Sequence, residues 1–325
     1  MTILLTGSAG FIGFHVAKAL LARGDAVIGV DNLNDYYTPD LKHARLDQLL
    51  PQKGFTFHKL DIADHEALKN IAANEGVTDI IHLAAQAGVR YSLENPFAYA
   101  ASNLTGHLSV LEVARAIKAN HMVYASSSSV YGANKKTPFA EDDRTDAPVS
   151  LYGATKKSDE NLSVSYGQLY QIPLTGLRFF TVYGPWGRPD MAYWMFTEKI
   201  LKGETISIFN NGDMGRDFTY VDDIVDGVLA ALAKPPTNAE SHHRVFNLGN
   251  NHPEKLMDLV SLLEDGLGVK AKKSMEGMQK GDVKRTWADI THAQNMLGYQ
   301  PKVSLADGIS RYIDWRKKTG HGFGT

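Results

Sequence analysis

The sequence predicts an α/β fold with a doubly wound parallel sheet, because three patterns in its first half agree. Short apolar segments of strand length alternate with segments in which apolar residues recur at helical spacing. A glycine-rich turn follows the first apolar segment, and Gly24 and Gly76 stand where two predicted helices end. Such alternation indicates βαβ units, whose parallel strands are covered by helices on both faces. Glycine ends helices because it adopts the left-handed conformation without strain.

The elements of this first half follow in a regular order. Short apolar segments predict strands at 3–6, 26–30, 55–60, 79–84, 121–126 and 174–180. Amphipathic segments predict helices at 11–24, 65–76, 103–120 and about 150–170. A helix between two strands allows them to run parallel in one sheet.

The pattern changes beyond residue 180. The next segment is rich in Gly, Pro and aromatic residues, after which strand–helix character returns over 218–234. A further strand is expected at 243–250 and a last helix near 303–317. We therefore predict a large domain and a smaller, discontinuous C-terminal α/β domain. The predicted boundaries are 1–180 with 217–250 for the large domain, and 181–216 with 251–325 for the small one.

The composition excludes several classes of function. The chain has 325 residues, a net charge of −2 and no cysteine. A near-neutral charge gives no electrostatic reason to expect nucleic acid or a membrane as a partner. The absence of cysteine excludes disulfide and thiolate chemistry and is compatible with a reducing cytosol. Because the first apolar segment is too short for a signal peptide or a membrane span, we expect a cytoplasmic protein.

A G-x-x-G-x-x-G pattern is formed by Gly7, Gly10 and Gly13, directly after the first strand and at the start of a helix. Glycines there let the backbone approach a pyrophosphate, whose charge is stabilised at the helix N-terminus. Asp31 ends the second predicted strand. A carboxylate at this place accepts a hydrogen bond from a ribose 2′-hydroxyl and repels a 2′-phosphate. The pattern therefore predicts a Rossmann domain that binds NAD rather than NADP.

Residues near other predicted strand ends complete the expected cofactor contacts. Asp61, at the end of the third strand, either faces the adenine or is an ordinary strand-end residue. The contacts predicted up to the fourth strand are Gly7, Gly10, Phe11, Ile12, Gly13, Asp31, Asn32, Asp61, Ile62, Leu83, Ala84 and Ala85.

Tyr152 and Lys156 are spaced i, i+4 in the helix predicted at 150–170, which puts both side chains on one helix face. A free tyrosine has a pKa near ~10, so it acts as a base at neutral pH only close to positive charge. The Lys156 ammonium supplies part of that charge, and an oxidised nicotinamide supplies more. Alone, the pair is also typical of an exposed helix face. Downstream of a dinucleotide-binding turn, it favours a catalytic role.

Seven motifs resemble those of the extended short-chain dehydrogenase/reductase family, specifically its nucleotide-sugar epimerases, and occur in that family's order. They are TGSAGFIG (6–13), HLAAQAGVRYS (82–92), SSSSVYG (126–132), YGATKK (152–157), VYGPWGRPDMA (182–192), GRDFTYVDDIVDG (215–227) and GDVKRTWAD (281–289). The resemblance runs nearly end to end. It implies that the large domain binds NAD and that the small domain binds a UDP-sugar.

The resemblance also implies roles for single residues. Ser127 would complete a Ser–Tyr–Lys triad with Tyr152 and Lys156, and Ser129 is the alternative to Ser127. Lys156 would bond the nicotinamide ribose, and Asn103 would lie near the cofactor. The residues that would contact the UDP-sugar are Ser127, Ser128, Ser129, Thr181, Phe209, Arg216 and Asp282.

For some of these residues, the resemblance implies which part of the substrate they would contact. Arg216 and Asp282 would hold the diphosphate and the uridine ribose, and Phe209 would lie beside the uracil. Arg90 and Arg188 are either substrate contacts or surface arginines. Gln279 stands where many relatives carry an arginine, so that Lys280 or Arg285 would have to replace that phosphate contact.

The residues before the VYG sequence distinguish the reactions of this family. Sugar-nucleotide dehydratases carry an Asp-Glu pair there, and related decarboxylases carry a Glu at the second position. This chain has Ser128 and Ser129 instead. Without a carboxylate, elimination lacks its acid–base catalyst. The family reaction that is still compatible with these residues is oxidation of a carbinol followed by re-reduction, which is an epimerisation.

Thr181 stands where many epimerases carry an Asn, and in this respect the chain looks like the UDP-glucuronate 4-epimerases. Ser127, Ser128 and Thr181 would offer neutral hydrogen-bond donors to a C5 carboxylate. We therefore expect NAD-dependent C4 epimerisation of UDP-glucuronate to UDP-galacturonate. The resemblance also implies that the protein is a homodimer. The alternatives are a UDP-glucose/UDP-galactose 4-epimerase, a UDP-glucuronate decarboxylase and a non-catalytic NAD-sensing scaffold. The 12 histidines lack metal-binding spacing, so no metal site is predicted.

Overall fold

A computed structural model describes residues 1–236, 242–278 and 283–320. The strands are β1 (Thr2–Thr6), β2 (Ala26–Asp31), β3 (Phe55–Lys59), β4 (Asp79–His82), β5 (His121–Ser127), β6 (Leu174–Phe179), β7 (Thr181–Tyr183), β8 (Thr205–Ile208), β9 (Gly215–Tyr220), β10 (His243–Leu248), β11 (Pro253–Lys255) and β12 (Lys272–Met275). The helices are α1 (Phe11–Ala22), α2 (Pro39–Leu49), α3 (His65–Asn74), α4 (Tyr91–Glu94), α5 (Pro96–Tyr99), α6 (Gly106–Ala116), α7 (Leu151–Tyr170), α8 (Ala192–Leu201), α9 (Val221–Leu232), α10 (Leu256–Leu267), α11 (Thr291–Leu297) and α12 (Leu305–Thr319).

A seven-stranded sheet forms the centre of the described chain, with the strand order β3–β2–β1–β4–β5–β6–β10. Every neighbouring pair in this sheet is parallel. The order changes direction between β1 and β4, which creates a crevice at the carboxyl ends of these strands. The predicted doubly wound parallel sheet is confirmed, and all six strands predicted before residue 181 belong to it.

The strands alternate their side chains between two buried layers. Leu4 of β1 belongs to the same apolar cluster as Leu68 of α3 and Val110 of α6. Its neighbour Leu5 belongs to the cluster that contains Phe14 of α1. Both faces of the sheet are thus covered, which explains why the central strands are apolar at successive positions.

Two features of the first half differ from the sequence pattern. The periodicity does not reveal α2, because Lys42 and Arg45 interrupt its apolar residues, although both are buried in the folded chain. The helix predicted at 103–120 begins earlier, with a π-helical segment at Ala100–Thr105, and continues as α6.

The remaining strands form two small sheets. β9 pairs with β7 and β11, and β8 pairs with β12, whereas β10 is the edge strand of the central sheet. Near the start of α9, Asp223 accepts hydrogen bonds of 2.9 and 3.1 Å from the backbone nitrogens of Lys302 and Val303. This carboxylate fixes the segment before α12. The predicted domain boundaries stay a prediction. Within the described ranges, no helix has the length and apolar character that a membrane span requires.

Candidate active site

A cleft of about 690 Å³ opens at the carboxyl ends of the central strands. It is lined by residues that follow β1, β2, β4, β5 and β6, together with residues of α7, β9 and the loop 184–191. Parallel strands place their carboxyl ends at one sheet edge, so loops distant in sequence meet there. The volume is typical of cofactor and small-molecule sites.

The glycine-rich turn between β1 and α1 lines one part of this cleft. Gly7 has a φ of +73°, and a Cβ at this position would lie 2.7 Å from the backbone nitrogen of Ala84. A Cβ at Gly13 would lie 2.0 Å from the carbonyl oxygen of Gly7. No side chain at Gly10 caps α1, whose first residues line the cleft. The turn is therefore a cradle that only glycine permits, and it fits a pyrophosphate.

Asp31 lies at the end of β2 and lines the cleft beside Asn32. Its Oδ2 accepts a 3.1 Å hydrogen bond from the backbone nitrogen of Ala9, and its Oδ1 accepts one of 2.9 Å from that of Leu33. The carboxylate thereby holds the glycine-rich turn against the end of β2. Among the predicted apolar contacts, the cleft is lined by Phe11, Ile12, Ile62, Leu83, Ala84 and Ala85.

Asp61 and Asn103 do not line the cleft, and both bind other parts of the protein. Asp61 accepts hydrogen bonds of 2.9 Å from Nδ2 of Asn32 and from the backbone nitrogen of Ala63. Asn103 is buried, and its amide accepts a 2.8 Å bond from the Gln86 nitrogen and donates a 3.0 Å bond to the Gln86 oxygen. Asn103 therefore supports the loop after β4. A contact of either residue with the cofactor stays a prediction.

Helix α7 brings Tyr152 and Lys156 into the cleft lining, as their i, i+4 spacing predicts. Ser150 caps this helix, since its Oγ accepts a 3.0 Å hydrogen bond from the backbone nitrogen of Gly153. A Cβ at Gly153 would lie 2.6 Å from the carbonyl oxygen of Ser129. The glycine therefore allows the first turn of α7 to pack directly against the serine run.

The Lys156 ammonium is buried and donates a 2.9 Å hydrogen bond to Oδ2 of Asp159, one turn further along α7. Burial by itself lowers the pKa of Lys156, but the charge and hydrogen bond of Asp159, together with the charges of Tyr152 and Glu160, outweigh burial and raise it. Lys156 is therefore a charged ammonium with a carboxylate partner, close to Tyr152.

The serine run, residues 126–129, spans the end of β5 and the start of the short helical turn after it. Ser126 Oγ donates a 2.6 Å hydrogen bond to Oε1 of Glu160 on α7. Ser127 Oγ accepts a 3.1 Å hydrogen bond from the backbone nitrogen of Ser129. The run is thus anchored to α7 and lines the cleft, and it is not a linker.

Most of the predicted substrate contacts line the same cleft. They are Ser127, Ser128, Ser129, Thr181, Arg90, Arg188, Phe209 and Arg216. Nε of Arg188 donates a 3.0 Å hydrogen bond to Oδ1 of Asp190. The guanidinium of Arg90 lies 4.7 Å from the centre of the Phe209 ring. Both arginines line the cleft although Arg90 is exposed, and a substrate contact of either one stays a prediction. Asp282 lies outside the described residues, as do Gln279 and Lys280.

Arg45 on α2 is a residue of this region that the sequence patterns do not reveal. It is 0% exposed and donates hydrogen bonds of 2.8 Å to the carbonyl oxygens of Ala9 and Gly187. Ala9 belongs to the glycine-rich turn, and Gly187 belongs to the loop 184–191. A signal does exist, because Leu41, Arg45 and Leu49 recur at four-residue spacing. That spacing places the arginine on the apolar face of α2.

The arrangement suits proton transfer at an alcohol. A phenol, an ammonium and several hydroxyl groups border one space, which continues into a dinucleotide cradle. In the part of the chain that the structure describes, no group of three His, Asp or Glu side chains could hold a metal ion. The serine run itself contributes no carboxylate to this lining, and the role of Tyr152 as the proton acceptor stays a prediction.

Fold and cleft together define a dinucleotide-dependent enzyme that acts on an alcohol. Residues 3–249 match the family model described as the NAD dependent epimerase/dehydratase family. The chain belongs to this family, and the resemblance to short-chain dehydrogenase/reductase epimerases is confirmed.

Individual relatives and solved structures are similar to this chain over nearly its whole length. The chain is 51% identical to UDP-glucuronate 4-epimerase 4 of Arabidopsis thaliana, over 97% of this chain and 75% of that one. The crystal structure of UDP-glucuronic acid 4-epimerase from Bacillus cereus, in complex with UDP-glucuronic acid and NAD, superposes with a TM-score of 0.91. It is 36% identical and covers 98% of this chain and 100% of its own. UDP-glucose 4-epimerase of Thermotoga maritima, with UDP-glucose, gives a TM-score of 0.87 at 33% identity, covering 98% and 99%.

Proposed function

We propose that this protein is an NAD-dependent UDP-glucuronate 4-epimerase, which interconverts UDP-glucuronate and UDP-galacturonate. The observation that carries the proposal is the neutral wall that Ser127, Ser128 and Thr181 contribute to the cleft that Tyr152 also lines. This wall offers hydrogen-bond donors to a sugar carboxylate and contains no acid that would drive elimination. Identity of 51% to a plant UDP-glucuronate 4-epimerase supports the same substrate.

The glycine cradle at Gly7 and Gly13 fits the pyrophosphate of a dinucleotide, because a Cβ at either position would collide with backbone. Asp31 and Asn32 would hold the adenosine ribose at the end of β2. Lys156 would hold the nicotinamide ribose. When bound, NAD supplies the hydride acceptor and donor for C4 of the sugar.

The residues of the chain handle the proton at the sugar C4 hydroxyl. Tyr152, as a phenolate, accepts the hydroxyl proton while the C4 carbon is oxidised to a ketone. Ser127 donates a hydrogen bond to the reacting oxygen and fixes its position. The ketose then turns about its diphosphate, which Arg216 holds, and presents its opposite face. Tyr152 returns the proton to the oxygen as C4 is reduced, so the overall reaction is redox-neutral and inverts only C4.

The same wall protects the intermediate. A 4-keto uronate is a β-keto acid, which loses CO₂ most readily when the carboxylate bond aligns with the carbonyl π system. Hydrogen bonds from Ser128 and Thr181 would hold the carboxylate away from that alignment, while Ser127 donates to the C4 oxygen. No salt bridge is needed for this role, and the nearby Arg188 is already bonded to Asp190.

The proposal extends to a homodimer. Several large apolar side chains are exposed on α4, α5, α6 and α7, namely Leu93, Phe97, Leu108, Val164 and Leu169. Phe97 is 83% exposed and Leu169 is 68% exposed, which is unusual for side chains grouped on neighbouring helices. A second copy that packs its α6 and α7 on this face would bury them in a four-helix bundle. Light scattering should give twice the chain mass, and Leu169→Glu should reduce it to that of a single chain.

A cytoplasmic location is part of the same proposal. It rests on the cysteine-free sequence, which is compatible with a reducing compartment. Fractionation of the native host, with an antibody against this chain, would test it.

One experiment tests the catalytic proposal. The purified protein is incubated with UDP-glucuronate without added cofactor, and the products are identified by NMR. We expect UDP-galacturonate. UDP-glucose in a parallel reaction tests the UDP-glucose 4-epimerase alternative, and release of a UDP-pentose would indicate a decarboxylase. If no UDP-sugar is converted even after NAD is added, the catalytic proposal is wrong and the NAD-sensing scaffold is favoured.

A further inference from the structure

Lys156, which lines the cleft, forms an almost completely buried ion pair with Asp159. Lys156 is 2% exposed and Asp159 is 0% exposed, and Nζ and Oδ2 lie 2.9 Å apart. The second carboxylate oxygen of Asp159, Oδ1, is buried and has no hydrogen-bond partner. The carboxylate is therefore directed at the ammonium alone, without a capping or backbone-binding role for its side chain.

The groups around this pair leave Asp159 as the partner that balances Lys156. Five other titratable side chains face the pair, namely Tyr152 and Glu160 of α7, His82 of β4, His107 of α6 and Tyr124 of β5. Burial lowers the pKa of His82 to about 3 and that of His107 well below its usual range, so both imidazoles are neutral. Burial also raises the pKa of Tyr124, which stays a neutral phenol.

Glu160 carries a negative charge, which ion pairs with Arg178 and Lys157 already balance. Nε of Arg178 lies 2.8 Å from its Oε1, and Nζ of Lys157 lies 3.1 Å from its Oε2. On the cleft side, Arg188 and Tyr99 face Tyr152, and Arg188 is bonded to Asp190. Among the described groups around it, the Lys156 ammonium is thus compensated chiefly by Asp159.

A compensated ammonium changes the expected electrostatics at Tyr152. A bare buried ammonium strongly favours a nearby phenolate, whereas an ion pair presents only a dipole, whose field decreases faster with distance. We infer that Asp159 is a positioning residue that holds the Lys156 ammonium in place and weakens its field at Tyr152. The phenolate would then need further positive charge in the cleft. This inference rests on the proposed role of Tyr152 as the base.

The test measures phenolate formation directly. Tyrosinate has a distinctive near-ultraviolet absorbance, and subtracting the titration of the Tyr152→Phe protein isolates the signal of Tyr152. Asp159→Asn keeps an oxygen acceptor for Lys156 and removes the negative charge. We expect the midpoint of phenolate formation to move to lower pH by roughly one unit. Asp159→Ser, whose side chain is smaller, should move the midpoint in the same direction. It replaces Asp159→Asn in the test if the Asn variant does not fold.

Asp223→Asn is the matched control, because Asp223 is also a buried helix carboxylate but binds the backbone nitrogens of Lys302 and Val303 instead of Lys156. It should leave the phenolate midpoint in place. An unchanged midpoint in both Asp159 variants, or an equal shift in the control, would overturn the inference. The acid limb of kcat/KM for UDP-glucuronate should move in the same direction. If the wild-type protein converts no UDP-sugar, the proposed function fails, whereas the phenolate titration still decides the role of Asp159.

Discussion

Arg45 donates a 2.8 Å hydrogen bond from Nη2 to the carbonyl oxygen of Gly187. Its Nη1 donates another of 2.8 Å to Ala9, and its Nε donates one of 3.1 Å to Trp186. No carboxylate lies within salt-bridge distance of this guanidinium in the described part of the chain, so carbonyl oxygens and the Tyr37 hydroxyl satisfy it. The buried guanidinium of Arg45 thus joins the glycine-rich turn to the loop 184–191.

Replacing Arg45 by Lys should destabilise this junction. Lysine cannot supply the planar set of donors, so several buried carbonyl oxygens would lose their partners. We expect the free energy of unfolding to fall by about 3 kcal/mol, measured by urea denaturation. The amount of NAD that copurifies should fall as well. Arg115→Lys, at an exposed pair on α6, is the control and should change stability by less than about 0.5 kcal/mol.

Tyr152→Phe should remove turnover without unfolding the protein. The substitution deletes the proton acceptor and keeps the ring, so we expect epimerisation to fall by at least about 10³-fold. Thermal unfolding and the binding of UDP should change little. Tyr166→Phe is the control on the same helix, because its hydroxyl donates to Glu112 outside the cleft. Near-normal turnover of the Tyr152 variant would contradict the proposed mechanism.

Thr181→Ala and Ser128→Ala should change the products more than the rate of oxidation. Each variant removes a hydroxyl from the wall that would hold the uronate carboxylate, which frees the carboxylate to align with the C4 ketone. We expect a larger share of UDP-pentose and CO₂, measured by NMR and by trapping of labelled CO₂. Thr205→Ala, outside the cleft lining, should leave the product ratio unchanged. The same ratio in all three variants would show that these hydroxyls do not protect the intermediate.

Three buried histidines should make the protein sensitive to acid. Burial lowers the pKa of His82 to about 3, that of His121 to about 4 and that of His107 well below its usual range. In the unfolded chain these imidazoles bind protons at a pH where they stay neutral in the folded chain. Their contribution to the free energy of unfolding is therefore complete above about pH 6.5 and is lost as the pH falls.

His121 offers a direct measurement of this effect. Each such histidine should steepen the loss of unfolding free energy by about 1.4 kcal/mol per pH unit below its unfolded pKa. His121→Gln should therefore reduce the pH slope, in urea denaturation series, by close to one proton. The exposed His43→Gln variant should not reduce it. An identical slope for the wild type and His121→Gln would contradict the expectation.

The central sheet and much of the cleft could be predicted because their signals are local. Gly7, Gly10 and Gly13 lie within one turn, and Tyr152 and Lys156 lie within one helical turn. Short spacings specify backbone geometry almost independently of the rest of the chain, and parallel strands then bring these segments to one sheet edge. Positions of Ser127 and Thr181 at that edge follow from the same rule.

Other features depend on partners that are distant in sequence or on burial. Arg45 and Lys42 look like surface residues within α2, and Asp159 looks like an exposed helix residue, until the packed neighbours are known. The contact between Arg45 and Trp186 joins residues 141 positions apart. Whether a charge is solvated, paired or held by carbonyl groups is decided by what packs around it, since desolvation depends on all surrounding atoms. Periodicity and spacing thus specified the α/β sheet and the helix that carries Tyr152 and Lys156, whereas tertiary packing alone gave Lys156 its carboxylate partner and Arg45 its place between the two loops.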